Sequence, residues 1–291
     1  MKPTRRIAAA AVAAAVWTLW TLAAVGQATL TITFEAMDPH IGQAFALRVV
    51  ERPSGREVAR FAIPEIAATT FDLEVADLAL GASYRIDFYA DLSGNGRYDA
   101  PPIDHAWRLE VADIQGDTTL SFAHTTEFID IAWPPAFDGM IGENEYAARM
   151  IDPETAMAVH WQHDGSMLYV GLEAPGTGWL SIGFEPERRM QGANIVIASI
   201  DDGVLTIEDH YGHTQTSHRR DDVDHVVQAA GSESDGRSTV EFAIPLDSED
   251  DQDKALEPGT EVVIILAYHR SNDGLTARHS ERSTTTIRLE N

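Results

Sequence analysis

The residues with the clearest potential for metal chemistry are a methionine and a histidine that lie far apart in the chain. Met190 ends a loop between two predicted strands, at residues 178–184 and 194–200, which are rich in apolar and β-branched residues. A thioether is a soft donor that can bind haem iron at one axial position while a histidine binds at the other. His279, 89 positions further on, is the candidate second donor. The alternative is that Met190 only fills the core, as methionines beside strands usually do.

The composition of the chain narrows the possible partners and cofactors. The chain has 291 residues and a formal net charge of −25, from 46 acidic and 21 basic residues. Such a surface repels nucleic acid and anionic membranes, so neither is an expected partner. The chain has no cysteine, which excludes disulfides, thiolate metal sites, iron–sulfur clusters and the covalent attachment of c-type haem. Any haem must therefore be held without a covalent bond.

The first 28 residues have the pattern of an export signal. Lys2, Arg5 and Arg6 precede an uncharged apolar run at residues 7–25, and small residues follow it. Because the run is long, an uncleaved membrane anchor is the alternative to a cleaved signal peptide, and we expect membrane contact only through that segment. In both cases the remaining chain is predicted to be exported, to a periplasmic or extracellular location. Cleavage after residue 28 would leave a net charge of −28, from 46 acidic and 18 basic residues.

The chain after residue 28 has the pattern of an all-β protein. Short alternating or apolar runs, separated by turn residues, follow one another with almost no helical periodicity, as is typical of antiparallel β-sandwiches. Pro134 and Pro135 lie between two sets of such runs and mark a domain boundary. The sequence therefore predicts two antiparallel β-sandwich domains, at residues 29–130 and 131–291, the first of unknown role. Residues 246–257 are acidic and polar, and we expect a short helix or a loop there.

An acidic loop in the first predicted domain resembles part of a calcium-binding loop. Its oxygen-bearing side chains alternate along the sequence, and Gly96 permits a tight reversal. This spacing matches the first nine positions of an EF-hand-type loop, in which oxygen donors converge on a hard cation. The twelfth position is Pro102 rather than glutamate, so the alternative is a turn held by side-chain hydrogen bonds to its own backbone. The candidate calcium ligands are Asp91, Ser93, Asn95 and Asp99.

Several short motifs follow in a recognisable order through the second half of the chain. The motif Phe137-Asp-Gly opens the predicted domain, and an apparent hairpin follows at residues 161–172. Next come the glycine-bounded strand at residues 178–184 and the segment that begins at Met190. A late strand ends in Ala-Tyr-His269. In this order the motifs closely resemble a DOMON domain, over residues 137–289. DOMON domains are β-sandwich modules found beside copper monooxygenases, in cytochrome b561 fusions and in the cytochrome part of cellobiose dehydrogenase.

The resemblance implies a fold and a function. Haem-carrying DOMON domains hold b-type haem between loops at one end of a two-sheet sandwich, with a methionine and a histidine as axial ligands. Met190 matches the methionine, His279 matches the histidine by its place before the last predicted strand, and His269 is the competing choice. With both axial positions filled, the implied function is one-electron transfer to or from a redox partner protein, soluble or membrane-bound, rather than catalysis.

The alternative function is a recognition module without haem. Such a DOMON domain would bind a sugar or a protein partner, with Trp161, Trp179 and Tyr211 as candidate stacking surfaces, although core packing is the simpler interpretation of Trp179. The chain has neither a nucleophile-elbow motif nor the glycine patterns of nucleotide-binding loops, so we do not expect an enzyme. Four unevenly spaced histidines are predicted to lie in a solvated loop rather than a zinc site: His210, His213, His218 and His225.

Overall fold

The computed structural model describes residues 27–290, and these are almost wholly β-strands and their connections. The predicted export segment, residues 1–28, lies outside the described residues except for its last two positions. Within residues 27–290, no helix is long and apolar enough to cross a membrane. A 3-10 helix, Asp38–His40, joins the first two strands. The strands are β1 (Gln27–Glu35), β2 (Ala44–Arg52), β3 (Glu57–Ile63), β4 (Phe71–Ala79), β5 (Ser83–Asp91), β6 (His105–Val111), β7 (Thr118–Ala123), β8 (Ala148–Ile151), β9 (Ala158–His163), β10 (Met167–Pro175), β11 (Leu180–Phe184), β12 (Asn194–Asp201), β13 (Val204–Thr214), β14 (Ser217–Arg220), β15 (Gln228–Ser234), β16 (Arg237–Pro245), β17 (Glu261–Tyr268) and β18 (Glu281–Arg288).

The chain divides into two compact units. The first ends at Phe88 and also includes Arg108–Glu127, whereas the second comprises Tyr89–Trp107 and the chain from Phe128 onward. The predicted all-β fold is confirmed, because every described element longer than one turn is a strand. The predicted domain limits, residues 29–130 and 131–291, stay a prediction.

The first unit contains a sheet in the order β4-β1-β7, and its remaining strands belong to a sheet in the order β3-β2-β5-β6. Its core is aromatic: the ring of Phe34 meets those of Phe45 and Phe88 edge-on, each at a centroid distance of 5.1 Å. The pairing of β1 with β7 is parallel, unlike the antiparallel pairs that we predicted. Parallel neighbours require a crossover rather than a tight turn, and these two strands are separated by five others.

The second unit is a sandwich of two antiparallel sheets. The five-stranded sheet has the order β15-β16-β10-β9-β8, and the six-stranded sheet has the order β14-β13-β12-β11-β17-β18. Alternate residues of each strand point between the sheets, since side chains alternate across a strand. In β11 these are Leu180, Ile182 and Phe184, which are completely buried in the core of the unit. The opposite face of the six-stranded sheet does not contribute to this core.

Two of the strands have little signal in the sequence. β8 and β14 are only four residues long and lie at the edges of their sheets, so they carry little of the alternation that marks a half-buried strand. Residues 246–257 form turns and irregular backbone without helix, which is one of the two predicted outcomes.

Candidate functional site

The outer face of the six-stranded sheet is unusually apolar. Val196 and Ala198 of β12 face the core between the sheets, so Ile195 and Ile197 must point to the opposite side. Both isoleucines are nevertheless buried. Alternation from Leu266 likewise places Ile265 of β17 on the outer face. An apolar surface on this side of a sheet calls for a covering group, because the water-facing side of an antiparallel sheet is normally polar.

This face is the floor of a pocket with a volume of about 580 Å³. The volume lies in the range of sites that take cofactors and other small molecules. Its walls are two loops, residues 185–193 between β11 and β12 and residues 269–280 between β17 and β18. The residues of the six-stranded sheet and its border that line the pocket are Trp179, Ser181, Ile195, Ile197, Ile265 and Ala267.

A glycine in β11 allows the floor of the pocket to be a continuous apolar surface. Gly183 of β11 lies between Ile195 and Ile265, its partners in the neighbouring strands. A Cβ atom at this position would approach the side chain of Ile265 to 2.8 Å and that of Ile195 to 3.0 Å. The absence of a side chain therefore allows the two isoleucines to close over the strand and present one continuous apolar surface.

Met190 lies in a tight turn that opens onto the pocket. The backbone N–H of Gln191 donates to the carbonyl of Arg188 at 3.1 Å, and the N–H of Ala193 donates to the carbonyl of Met190 at 3.1 Å. Arg189 has a φ of 55°, so the turn passes through the left-handed region immediately before the methionine. Met190 is half-buried and lines the pocket. It is therefore not a methionine of the inter-sheet core.

His279 lines the same pocket from the second loop. It lies two residues before β18, where the N–H of Ser280 donates to the carbonyl of Tyr268 at 2.8 Å and closes the loop. Burial lowers the pKa of His279, and the positive charges of Arg282 and Arg278 lower it further. A lowered pKa favours the neutral imidazole, which is the form that binds a metal.

His269, the competing ligand choice, has a different role in the described structure. Its Nδ1 accepts hydrogen bonds from the backbone N–H of Asn272 at 3.0 Å and of Ser271 at 3.2 Å. The backbone N–H of His269 donates to the backbone carbonyl of Trp179 at 2.8 Å. His269 organises the start of the loop, and it is not among the residues that line the pocket.

The rim of the pocket is positively charged although the protein is strongly acidic. Arg189, Arg278 and Arg282 all line it. Among the described residues, none of the three guanidinium groups forms an ion pair with a carboxylate, whereas many other arginines of the chain do. Unpaired arginines beside an apolar floor suit a ligand that is flat and apolar at its centre and carries carboxylates at its edge.

The second unit has clear relatives among known proteins. Residues 153–269 match the DOMON domain family. This part of the chain is a DOMON domain. Over 145 residues the chain is 28% identical to DBH-like monooxygenase protein 1 of Mus musculus and 26% identical to that of Homo sapiens, which covers 49% of this chain and 24% of each relative. The chain thus spans about a quarter of the length of these relatives, and Met190 lies inside the DOMON match while His279 lies ten residues beyond it.

Two solved structures are similar to part of the chain at low scores. The cytochrome b domain of pyranose dehydrogenase from Coprinopsis cinerea has a TM-score of 0.39 and 12% identity, over 48% of this chain and 80% of that one. The cytochrome domain of Myriococcum thermophilum cellobiose dehydrogenase has a TM-score of 0.37 and 12% identity, over 51% of this chain and 90% of that one. Similarity at this level assigns no function to the DOMON domain.

The histidine-rich segment of the DOMON domain is not the solvated loop that we predicted. β13 continues to Thr214 and pairs with β14, so His210 and His218 lie on paired strands. Their Nδ1 atoms are 2.8 Å apart, Nε2 of His210 lies 2.8 Å from a carboxylate oxygen of Glu208, and His218 lines the pocket. The prediction was wrong because this part of β13 and β14 is polar. Polar strands at the edge of a sheet lack the hydrophobic alternation by which a strand is recognised in a sequence.

The three aromatic residues proposed for stacking have separate positions in the DOMON domain. Trp161 is buried in the core between the sheets, and its Nε1–H donates to the carbonyl of Arg288 at 2.9 Å. Trp179 lines the pocket, and its buried Nε1–H has no hydrogen-bond partner in the described part of the chain. Tyr211 is half-buried on β13. Only Trp179 is therefore placed to contact a ligand in the pocket.

The candidate calcium loop is held by its own hydrogen bonds. Asp91 accepts from the hydroxyl of Ser93 at 3.0 Å and from the N–H groups of Gly94 and Gly96 at 2.6 and 2.9 Å. Asp99 accepts from the amide of Asn95 at 2.6 Å. These bonds are those of the turn interpretation, and calcium binding by Asp91, Ser93, Asn95 and Asp99 stays a prediction.

Proposed function

We propose that the DOMON domain binds haem b without a covalent bond, with Met190 and His279 as axial ligands, and passes single electrons to or from a partner protein outside the cytoplasm. The observation that carries the proposal is the convergence of these two side chains on one pocket. They lie 89 positions apart and on separate loops, so their proximity is a product of the fold. A thioether and a neutral imidazole form the donor pair of electron-transfer haem proteins.

The remaining residues of the pocket fit the same ligand. The outer-face isoleucines offer a flat apolar surface, and the three rim arginines offer partners for two propionate carboxylates. Haem, when bound, supplies a one-electron iron couple. Met190 and His279 would together hold the iron, and iron held by such a pair of residues would supply electron transfer rather than oxygen chemistry. The proposed function is therefore electron transfer and not catalysis by the chain itself.

The proposal is tested by the visible spectrum of protein purified from a haem-sufficient host. We expect a red protein whose spectrum is six-coordinate and low-spin, and which responds to dithionite. His279→Gln should reduce haem retention at least about tenfold, because a direct ligand contributes more than the groups that hydrogen-bond to a ligand, whose loss costs about 10- to 100-fold. Met190→His should retain haem and lower the reduction potential, since the thioether favours reduced iron.

The matched control is His213→Gln, which changes an exposed histidine of β13 that does not line the pocket. It should leave the haem content and the spectrum unchanged. If His269→Gln alone loses haem, the ligand assignment is wrong but the function stands. If the wild-type protein takes up no haem on reconstitution, the electron-transfer proposal fails.

The second candidate function is a recognition module that binds a sugar or a protein partner in the same pocket. The observation that favours it is Trp179, a pocket-lining indole whose buried N–H has no partner in the described residues. An indole of this kind can stack on a ligand and donate a hydrogen bond to it. A colourless protein that binds glycans, with binding lost in Trp179→Ala and haem reconstitution failing, would establish this alternative.

A further inference from the structure

A second group of polar side chains belongs to the inner side of β13, away from the haem pocket. Asp209 pairs with Val196, whose side chain packs in the core between the sheets. Asp209 therefore points inward. Two connecting segments bring further groups to it: His225 from the segment between β14 and β15, and Asp253 from the turns between β16 and β17. The strand thus serves two sites, one on each face.

The three side chains are close enough to share one ion. One donor atom from each of Asp209, His225 and Asp253 lies within 4.8 Å of the others. Nδ1 of His225 is 3.0 Å from Oδ2 of Asp253 and 4.0 Å from Oδ2 of Asp209. Spacings of this size are those of atoms arranged around a metal at about 2.0–2.2 Å from each.

The carboxylates are buried and incompletely satisfied. Asp209 is 1% exposed and the side chain of Asp253 is 5% exposed. In the described part of the chain, Oδ1 of each has no hydrogen-bond partner, and the same is true of Oδ2 of the neighbouring Asp221. No lysine or arginine among the described residues forms an ion pair with any of the three. Buried carboxylates with free oxygens are costly unless a cation neutralises them.

The hydrogen bonds that do exist orient the group. The backbone N–H of His225 donates to Oδ2 of Asp209 at 2.9 Å, and the hydroxyl of Ser248 donates to Oδ2 of Asp253 at 2.6 Å. Each carboxylate is thus fixed through one oxygen while the other remains available, as is common for metal ligands held by an outer shell. Burial and the charges of Asp253 and Asp221 together raise the pKa of Asp209 to about 7, although the hydrogen bond from the N–H of His225 lowers it.

We propose that Asp209, His225 and Asp253 bind a divalent metal cation. The imidazole favours an ion that accepts nitrogen as well as oxygen, such as Zn²⁺ or Mn²⁺, over Ca²⁺, which takes oxygen ligands. The ion would join β13 to residues 221–227 and 246–257, which are two irregular connecting segments. Its role is to stabilise the fold, and the inference is independent of haem binding.

The test is thermal unfolding of full-length, EDTA-treated protein with Zn²⁺, Mn²⁺ or Ca²⁺ added separately, together with metal analysis of the purified protein. We expect Zn²⁺ or Mn²⁺ to raise Tm by several degrees by binding the folded state, at about one ion per chain. Asp209→Asn and Asp253→Asn should weaken binding at least about tenfold. Without metal, Asp209→Asn should be as stable as the wild type or more stable, because it removes an unpaired buried charge. A purely structural role for Asp209 would give the opposite result.

Two control variants separate this site from the rest of the surface. Asp222→Asn changes an exposed neighbour of Asp221 and should keep the full metal response. Asp91→Ala removes the first residue of the candidate calcium loop and should also keep the response to Zn²⁺ and Mn²⁺. The proposal is overturned if neither ion raises Tm, if both Asp209→Asn and Asp253→Asn keep the wild-type response, or if Ca²⁺ alone acts and Asp91→Ala abolishes its effect.

Discussion

Met190 and His279 show how far the ligands of a site can be predicted from residue type alone. Met190 was a candidate because a thioether in a loop beside a strand is chemically conspicuous. For the second donor, the order of motifs favours His279 by its place before the last predicted strand, and His269 is the alternative. In the fold, His279 lines the pocket with Met190, whereas the ring of His269 is engaged by the backbone of its own loop. The choice depends on loop geometry, which residue identity does not encode.

A buried aspartate outside both sites makes a pH-dependent contribution to stability. Burial alone would raise the pKa of Asp152, but hydrogen bonds from the hydroxyl and backbone N–H of Thr155 hold it below the ordinary value of 3.8. The N–H and the hydroxyl of Thr155 both donate to its Oδ2 at 2.7 Å. We expect Asp152→Ala to lower the free energy of unfolding by about 1–3 kcal/mol at pH 7, as measured by urea denaturation, because it leaves buried donors unpaired.

The pH dependence of this effect follows from the direction of the shift. A carboxyl group with a lowered folded-state pKa contributes stability that is fully present above its unfolded pKa and is lost as the pH falls through its folded pKa. The difference between the wild type and Asp152→Asn, which keeps an acceptor but no charge, should therefore shrink below pH 4. A difference that stays constant down to pH 2 would contradict this assignment.

Strand β13 illustrates how one element positions two sites. Successive residues of a strand point to opposite faces, so His210 belongs to the face of the pocket proposed for haem and Asp209 to the face of the proposed cation site. Periodicity indicated the first part of this strand, and its polar continuation and β14 were missed. Hydrophobic alternation is a reliable guide to central strands and a poor one to polar edge strands.

The loop that carries Met190 depends on a glycine of this strand. The N–H of Gly192 donates to the carbonyl of Gly212 at 2.8 Å, and a Cβ atom at Gly212 would overlap the carbonyl oxygen of Met190. We expect Gly212→Ala to push the loop away from β13. The free energy of unfolding should fall by about 1–3 kcal/mol, as overpacking usually costs, and haem retention should fall with it.

The matched control for this prediction is Gly116→Ala. An added Cβ at Gly116 would have no atom within 4 Å, and this glycine does not have a positive φ. Its replacement should leave urea denaturation and haem content close to the wild type. Equal effects of the two substitutions would show that the contact between Gly212 and Met190 is unimportant.

At the scale of the whole molecule, the distribution of charge is uneven. The net charge is −25, yet the rim of the pocket carries Arg189, Arg278 and Arg282. A negative surface attracts a basic partner over several ångströms, whereas a local positive rim holds anionic groups at short range. The overall charge thus bears on the proposed partner, and the rim bears on the proposed cofactor.

Electron transfer to a basic partner should depend strongly on salt. We expect the second-order rate constant with a basic c-type cytochrome to fall about tenfold or more between 0.01 M and 0.2 M ionic strength, because the Debye length shortens from about 30 Å to below about 8 Å. Stopped-flow absorbance measures this directly. An acidic electron acceptor should show the reverse trend, and a rate with the basic partner that does not change with salt would contradict electrostatic steering.

The sequence by itself determined the properties that depend on composition and local pattern. The absence of cysteine excludes covalent haem, alternating runs predict an all-β chain, and the order of motifs around Met190 identifies the DOMON domain. These properties could be predicted because strand periodicity and ligand chemistry depend on residues that are close together in the chain.

The tertiary structure decided which distant residues meet. Strand register places Ile195 and Ile265 side by side over Gly183, and the closure of two loops brings arginines from both to one rim. The cluster of Asp209, His225 and Asp253 was likewise invisible, because its members come from three separate segments and share no spacing rule. Contacts of this kind depend on the register and twist of the sheets, and a one-residue slip would send each side chain to the opposite face.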